Sequence, residues 1–212
     1  MVFLIRDGPE DIQKLKEIFG EDILSIIKYG FGKRNLMIVL SDVSLSYLQP
    51  LKPYIMRLKR KKRILVLGAS DITSGAIGID LLNIQLTSVV IYGKDLFKDL
   101  SFDEAKIKRQ LKYDAHRMLV GLRDEYLSYR WSWDLKKVLA STVPRLLPLI
   151  VAHMYLLGEK IPNAIPDTIN KYVKHNEDAL VLLKIRHDLN SKEIEAIFED
   201  IFTFLADLPE RI

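Results

Sequence analysis

Apolar and polar positions follow two rhythms along this chain, and the change comes near residue 100. In the first part, short apolar runs alternate with stretches of helical period. Residues 2–6 read as an edge strand, and Gly8-Pro9 then opens a helix with proline in its tolerated first turn. Ile12, Leu15, Ile18 and Phe19 fall on one face of that helix, and Gly20 marks its stop. Residues 23–29 read as a strand, followed by the turn Gly30-Phe31-Gly32-Lys33-Arg34. Residues 36–40 form an unbroken apolar run, the pattern of a strand covered on both faces. A helix is expected within 45–62, beginning at Pro50, because Pro50 and Pro53 suit only a helix start. Residues 63–67 give a third strand, and 88–92 a fourth, ended by Gly93-Lys94-Asp95. Between them Gly68, Gly75 and Gly78 interrupt the pattern, with a short helix expected over 79–82.

From Ser101 onward only the helical period remains. Ser101 and Glu104 have capping-box spacing, and Ile107, Leu111, Ala115, Met118, Leu122 and Tyr126 mark one face of a long helix. A second helix is expected over 134–157, bent at Pro144 and Pro148, and then a loop over 158–166. A third spans 167–186 with a break near Asn176. The last, over 191–208, carries Ile194, Ile197, Phe198, Ile201 and Leu205 on one face and a cap at Asn190 or Ser191. Successive amphipathic helices with short loops predict an up-and-down bundle. The expected fold is therefore a mixed α/β, α+β-like domain over 1–100 and an all-α bundle over 101–212.

Composition sharpens this only a little. With 49% apolar and 28% charged residues, the chain has the chemistry of a globular protein. It has no cysteine, which excludes disulfides, thiolate metal sites and cysteine nucleophiles. Arg6 and Asp7 end the first apolar run too early for a signal peptide. The apolar stretch 138–157 contains Arg145 and two prolines, so it is expected inside protein and not in a membrane. A cytoplasmic location is the resulting expectation. The scarcity of Asn and Gln, with abundant Lys, Arg and Ile, points to a heat-adapted source.

The order helix, strand, glycine turn, buried strand, helix, strand, irregular segment, strand and helical bundle resembles the minimal nucleotidyltransferases of bacteria and archaea. Ile26-Ile27-Lys28-Tyr29-Gly30 resembles that family's first strand and its Tyr-Gly-Ser turn, and Leu36-Met37-Ile38-Val39-Leu40 its second strand. Val89-Val90-Ile91-Tyr92-Gly93-Lys94-Asp95 resembles the later strand end that reads hydrophobic-Tyr-Gly-acidic. The resemblance implies a nucleotide loop at Gly30, Phe31, Gly32, Lys33 and Arg34. The same resemblance exposes what is missing. Phe31 stands where the family has serine, and the loop is too short for the helix that receives the triphosphate. The family's Asp-x-Asp pair falls near Arg34 and Leu36, and the third carboxylate, expected on 63–67, is absent. Those carboxylates hold the magnesium ions in the working enzymes. The expectation is a catalytically inactive nucleotidyltransferase-like protein without cofactor or metal, acting as a binding or scaffold module. Its partner would be a second copy, another protein, a nucleotide or a nucleic acid. The alternative is an active enzyme drawing on Asp22, Asp42, Asp71 and Asp80.

Other residues carry chemistry of their own. Arg57, Lys59, Arg60, Lys61, Lys62 and Arg63 put six cations in seven positions, either a phosphate-binding patch or a solvated helix end complementing the dipole. Lys33 and Arg34 would join that patch if the two strand ends are neighbours. Arg109 and His116 have the spacing of the ribonuclease motif of HEPN-type helical domains, which leaves an RNA-binding or RNA-cutting module as a third reading. Trp131 and Trp133 either stack on bases or lock a helix corner. The four histidines show no metal-ligand spacing.

Overall fold

The computed structural model describes residues 9–30, 35–59, 63–74, 78–130, 132–185 and 193–211. It is a mixed α/β protein, with a four-stranded sheet in its N-terminal part and a mostly helical remainder. The chain divides into two compact units, Met1–Ile77 with Ile84–Leu100, and Gly78–Asn83 with Ser101–Ile212. The expected edge strand at 2–6 lies outside the described residues.

In the first unit α1 (Pro9–Phe19) ends where a 3₁₀ turn, Gly20–Asp22, leads into β1 (Ile23–Lys28). There follow β2 (Asn35–Leu40), α2 (Leu45–Lys59), β3 (Arg63–Gly68), α3 (Ala69–Thr73), α4 (Gly78–Thr87) and β4 (Val89–Gly93). The sheet order is β3-β2-β1-β4. β1 runs antiparallel to both β2 and β4, while β2 and β3 are parallel. β2 lies inside the sheet, as its apolar run requires. Leu36, Ile38 and Leu40 pack with Leu15 and Phe19 of α1 and Ile55 of α2. Met37 and Val39, of opposite parity, are also fully buried.

Two elements depart from expectation in informative ways. α2 begins at Leu45, five residues before Pro50, and carries both prolines inside it. Its start is set by Asp42, whose carboxylate accepts from the Ser44 amide at 3.2 Å, and by the Leu48 amide donating to the Ser44 carbonyl. Each proline removes one helical bond within the first turns, and burial of Ile55 beneath them holds the rest. After β3, Asp71 accepts from the Gly68 amide at 2.8 Å and turns the chain into α3. α4 then extends well beyond the short helix expected at 79–82.

The helical unit contains α5 (Glu104–Ser128), α6 (Ser132–Leu156), α7 (Ile165–His175), α8 (Val181–Lys184) and α9 (Ile194–Asp207). The 3₁₀ turns Glu177–Leu180 and Leu208–Arg211 flank the last helices. Asp103, not Ser101, caps α5, accepting from the Ala105 and Lys106 amides at 2.9 and 3.4 Å. Ile107, Leu111, Ala115, Leu119 and Leu122 form its buried seam. α6 is long and apolar enough to cross a membrane by length and composition, yet 61% of the qualifying stretch is buried inside the chain. The break expected near Asn176 is present, since α7 ends there. The caps expected at Asn190 and Ser191 lie outside the described residues. Residues 78–83 join this unit through polar contacts that no periodicity reveals. Gln110 caps α4 by accepting from the Ile79 amide, and Asn83 donates to the carbonyl of Pro148.

Candidate functional site

Sheet register decides which sequence features meet. β1 ends where β2 begins, β3 runs parallel to β2, and β4 runs antiparallel to β1. One end of the sheet therefore gathers Lys28, Asn35, Arg63 and Val89. Asn35 and Arg63 are direct partners in the parallel pair. Lys33 and Arg34 lead straight into Asn35, and Arg60, Lys61 and Lys62 lead straight into Arg63. The condition for joining the two basic stretches, neighbouring strand ends, is thus met. Phe31, Gly32, Lys33 and Arg34 themselves, and Arg60 to Lys62, lie outside the described residues. Arg57 and Lys59 belong to the last turns of α2, and Arg63 is exposed.

The turn after β1 is built to be tight. Gly30 has φ +65°, a left-handed conformation that glycine adopts without a side-chain clash. Its amide donates to the Thr87 hydroxyl at 3.1 Å, tying the turn to the end of α4. The Asn35 side chain lies so close that a Cβ on Gly30 would come within 3.2 Å of its Nδ2.

Charge is distributed unevenly between the two ends. The chain has no Asp or Glu within 23–41 or 43–70, and ten Lys or Arg in those stretches. The overall charge of +4 conceals this local excess. Four acids adjoining the strands sit at the other end of the sheet. Asp22 precedes β1, Asp42 follows β2, Asp71 follows β3 and Asp95 follows β4. A strand of this length separates them from the Gly30 turn by about 17 Å. Their carboxylates serve local structure. Asp22 accepts from the Ser41 hydroxyl at 3.1 Å, and Asp95 from the amides of Phe97 and Lys98. Asp80 falls in the helical unit. Among the described residues no three His, Asp or Glu side chains come together as a metal-binding group. Of the two positions near which the resemblance would put carboxylates, Leu36 is buried in the sheet and Arg34 lies outside the described residues.

In the helical unit Arg109 and His116 are both exposed on α5. Trp133 is the second residue of α6, and Trp131 lies outside the described residues. A buried polar contact, that of His153 on α6 with Tyr172 on α7, has no counterpart among the sequence motifs. His153 Nδ1 and the Tyr172 hydroxyl are 2.7 Å apart, and both residues are buried. Burial lowers the His153 pKa below its ordinary value and raises that of Tyr172. Residues 19 apart on different helices leave no spacing signal. No protein-family model and no curated protein matches the sequence.

Proposed function

We propose that this protein is a nucleotidyltransferase-like binding module that lacks metal-dependent transfer and holds a phosphate-bearing partner at the basic end of its sheet. The observation that carries the reading is the pairing of Asn35 with Arg63, which makes neighbours of the two strands that the basic stretches lead into. Element order supports the nucleotidyltransferase resemblance: helix, strand, glycine turn, buried strand, helix, strand, short helices and strand precede the helical unit. The charge argues for the change of role. An active site of that kind needs carboxylates beside the glycine turn to hold divalent cations. Here the same end carries Lys28 and Arg63 and is bordered by segments without an acid. Cations in that place attract phosphate directly, with release of counterions, and have no need of a metal bridge.

Single-stranded nucleic acid suits the arrangement better than a lone nucleotide. In the sequence the basic stretches adjoin two neighbouring strand ends and the end of α2, which suits successive phosphates better than one triphosphate. The test is calorimetric titration with ATP, with and without magnesium, beside fluorescence anisotropy with single-stranded RNA over a salt series. RNA binding that weakens steeply with salt and ignores magnesium is expected. Magnesium-dependent ATP binding with pyrophosphate release would return the protein to the active enzymes.

A further inference from the structure

Helix α5 buries one face and leaves an apolar stripe on the opposite one. Tyr113, Val120 and Leu127 are 66%, 48% and 83% exposed. They recur every seven residues, which keeps them within about 20° per step along a helix. The buried seam of Leu111, Ala115 and Leu122 lies on the far side. Isolated exposed apolar residues are ordinary, but three in heptad register on one 25-residue helix form a line that a second helix can cover.

The charges beside that line specify the partner. Arg117 and Asp124 flank the stripe on the same side, three residues before Val120 and four after it. The stripe is itself symmetric about Val120, with Tyr113 seven residues before and Leu127 seven after. We infer that α5 docks against α5 of a second copy, antiparallel, about a two-fold axis at Val120. Tyr113 then meets Leu127 of the other copy, the two Val120 side chains meet each other, and Arg117 meets Asp124 twice. A parallel pairing would carry Arg117 and Asp124 of the two copies to opposite sides of the seam, so the Arg117–Asp124 pairs form only in the antiparallel arrangement. Arg117 is 73% exposed, and its 3.4 Å contact with Asp114 is a surface pair of little strength, easily exchanged. On the other flank Arg123 is turned onto the Phe202 ring at 5.1 Å, away from the axis. A contact of one helix with three apolar residues falls below the standard interface size, so the dimer is weak and forms by mass action. This inference does not depend on the phosphate-binding reading.

Sedimentation equilibrium over micromolar to millimolar protein tests it. The mass should rise from 24.5 kDa toward twice that value as concentration increases. Val120→Glu should hold the protein monomeric at every concentration, with an unchanged circular-dichroism spectrum because Val120 is half-exposed. Arg117→Asp and Asp124→Arg should each weaken association roughly tenfold, the range of two exposed ion pairs. The double variant Arg117→Asp/Asp124→Arg should restore it. A native protein that stays monomeric throughout, leaving the stripe to solvent or to a different protein, overturns the inference. So does a dimer indifferent to Val120→Glu, or a double variant no better than the singles.

Discussion

Asn35 and Arg63 face each other at the first position of the parallel pair β2–β3, and each is the residue at which a basic stretch enters the sheet. A one-residue slip in that register would carry Ile64, which packs with Leu15, Phe19 and Ile55, to the opposite face of the sheet, so its burial fixes the pairing. Core packing thus positions Arg63. Arg63 is exposed, and replacing it with glutamate should leave the melting temperature nearly unchanged. The slope of log affinity for single-stranded RNA against log salt should become shallower by about 0.7 for each phosphate that is no longer neutralised. Reversal of Lys59, Arg60, Lys61 and Lys62 to glutamate should abolish binding altogether. Anisotropy over a salt series measures both, and an unchanged slope in Arg63→Glu would place the phosphates elsewhere.

The glycine turn gives a second prediction. Gly30 combines φ +65° with a neighbour, Asn35 Nδ2, only 3.2 Å from where a Cβ would sit. Gly30→Ala should cost about 1–2 kcal/mol from the left-handed conformation, with a small addition for moving the Asn35 amide. The drop in stability, read from urea unfolding, should be nearly the same in Gly30→Ala/Asn35→Ala if strain dominates. A full recovery in the double variant would show that crowding by Asn35, not backbone strain, sets the cost.

A larger effect is expected at the far end of β4. Gly93 has φ +81°, and a Cβ there would lie 2.1 Å from the carbonyl oxygen of Leu24, a main-chain atom that cannot step aside. That carbonyl also accepts from the Lys94 amide at 3.1 Å. Gly93→Ala should therefore separate β4 from β1 and destabilise the first unit by about 3 kcal/mol or more. Amide exchange of Ser25 and Ile26 should accelerate in the variant. Exchange at the native rate would mean the sheet edge can shift to admit a methyl group.

These positions also mark how far the sequence could be read. The strands expected at 23–29, 36–40, 63–67 and 88–92 lie within a residue of those at 23–28, 35–40, 63–68 and 89–93. Predominantly apolar runs with glycine or turn punctuation mark them even where, as in β4, the strand is only partly buried. The start of α2 was not legible, because proline's helix-breaking rule hid the Asp42 and Ser44 contacts that begin the helix ahead of it. The cap of α5 slipped by two residues, since Ser101 has the motif spacing while Asp103 has the carboxylate in reach of the amides. Both basic stretches were visible as charge runs. Their adjacency was not, since it depends on β2 and β3 being parallel neighbours, a long-range pairing that no local pattern encodes.

The same limit hid the His153–Tyr172 pair, which makes the helical unit sensitive to acid. His153 is 2% exposed, and burial is the main reason its pKa lies below the ordinary 6.5. The Arg211 cation of the C-terminal 3₁₀ turn pushes the same way, while the Arg211 carbonyl and Glu159 oppose it. The unfolded chain, with an ordinary imidazole, therefore takes up a proton more readily than the folded one. Stability is complete above the unfolded value of 6.5 and declines as pH falls through it, levelling off once the folded imidazole is also protonated. Amide exchange in α6 and α7 should thus accelerate on going from about pH 7.5 to about pH 5.5, after correction for the intrinsic rate. His153→Gln keeps a partner for the Tyr172 hydroxyl but cannot titrate in this range, so it should remove most of that pH dependence while lowering stability at neutral pH. An identical acid response in His153→Gln would assign the effect to other groups and leave the buried pair with a purely structural role.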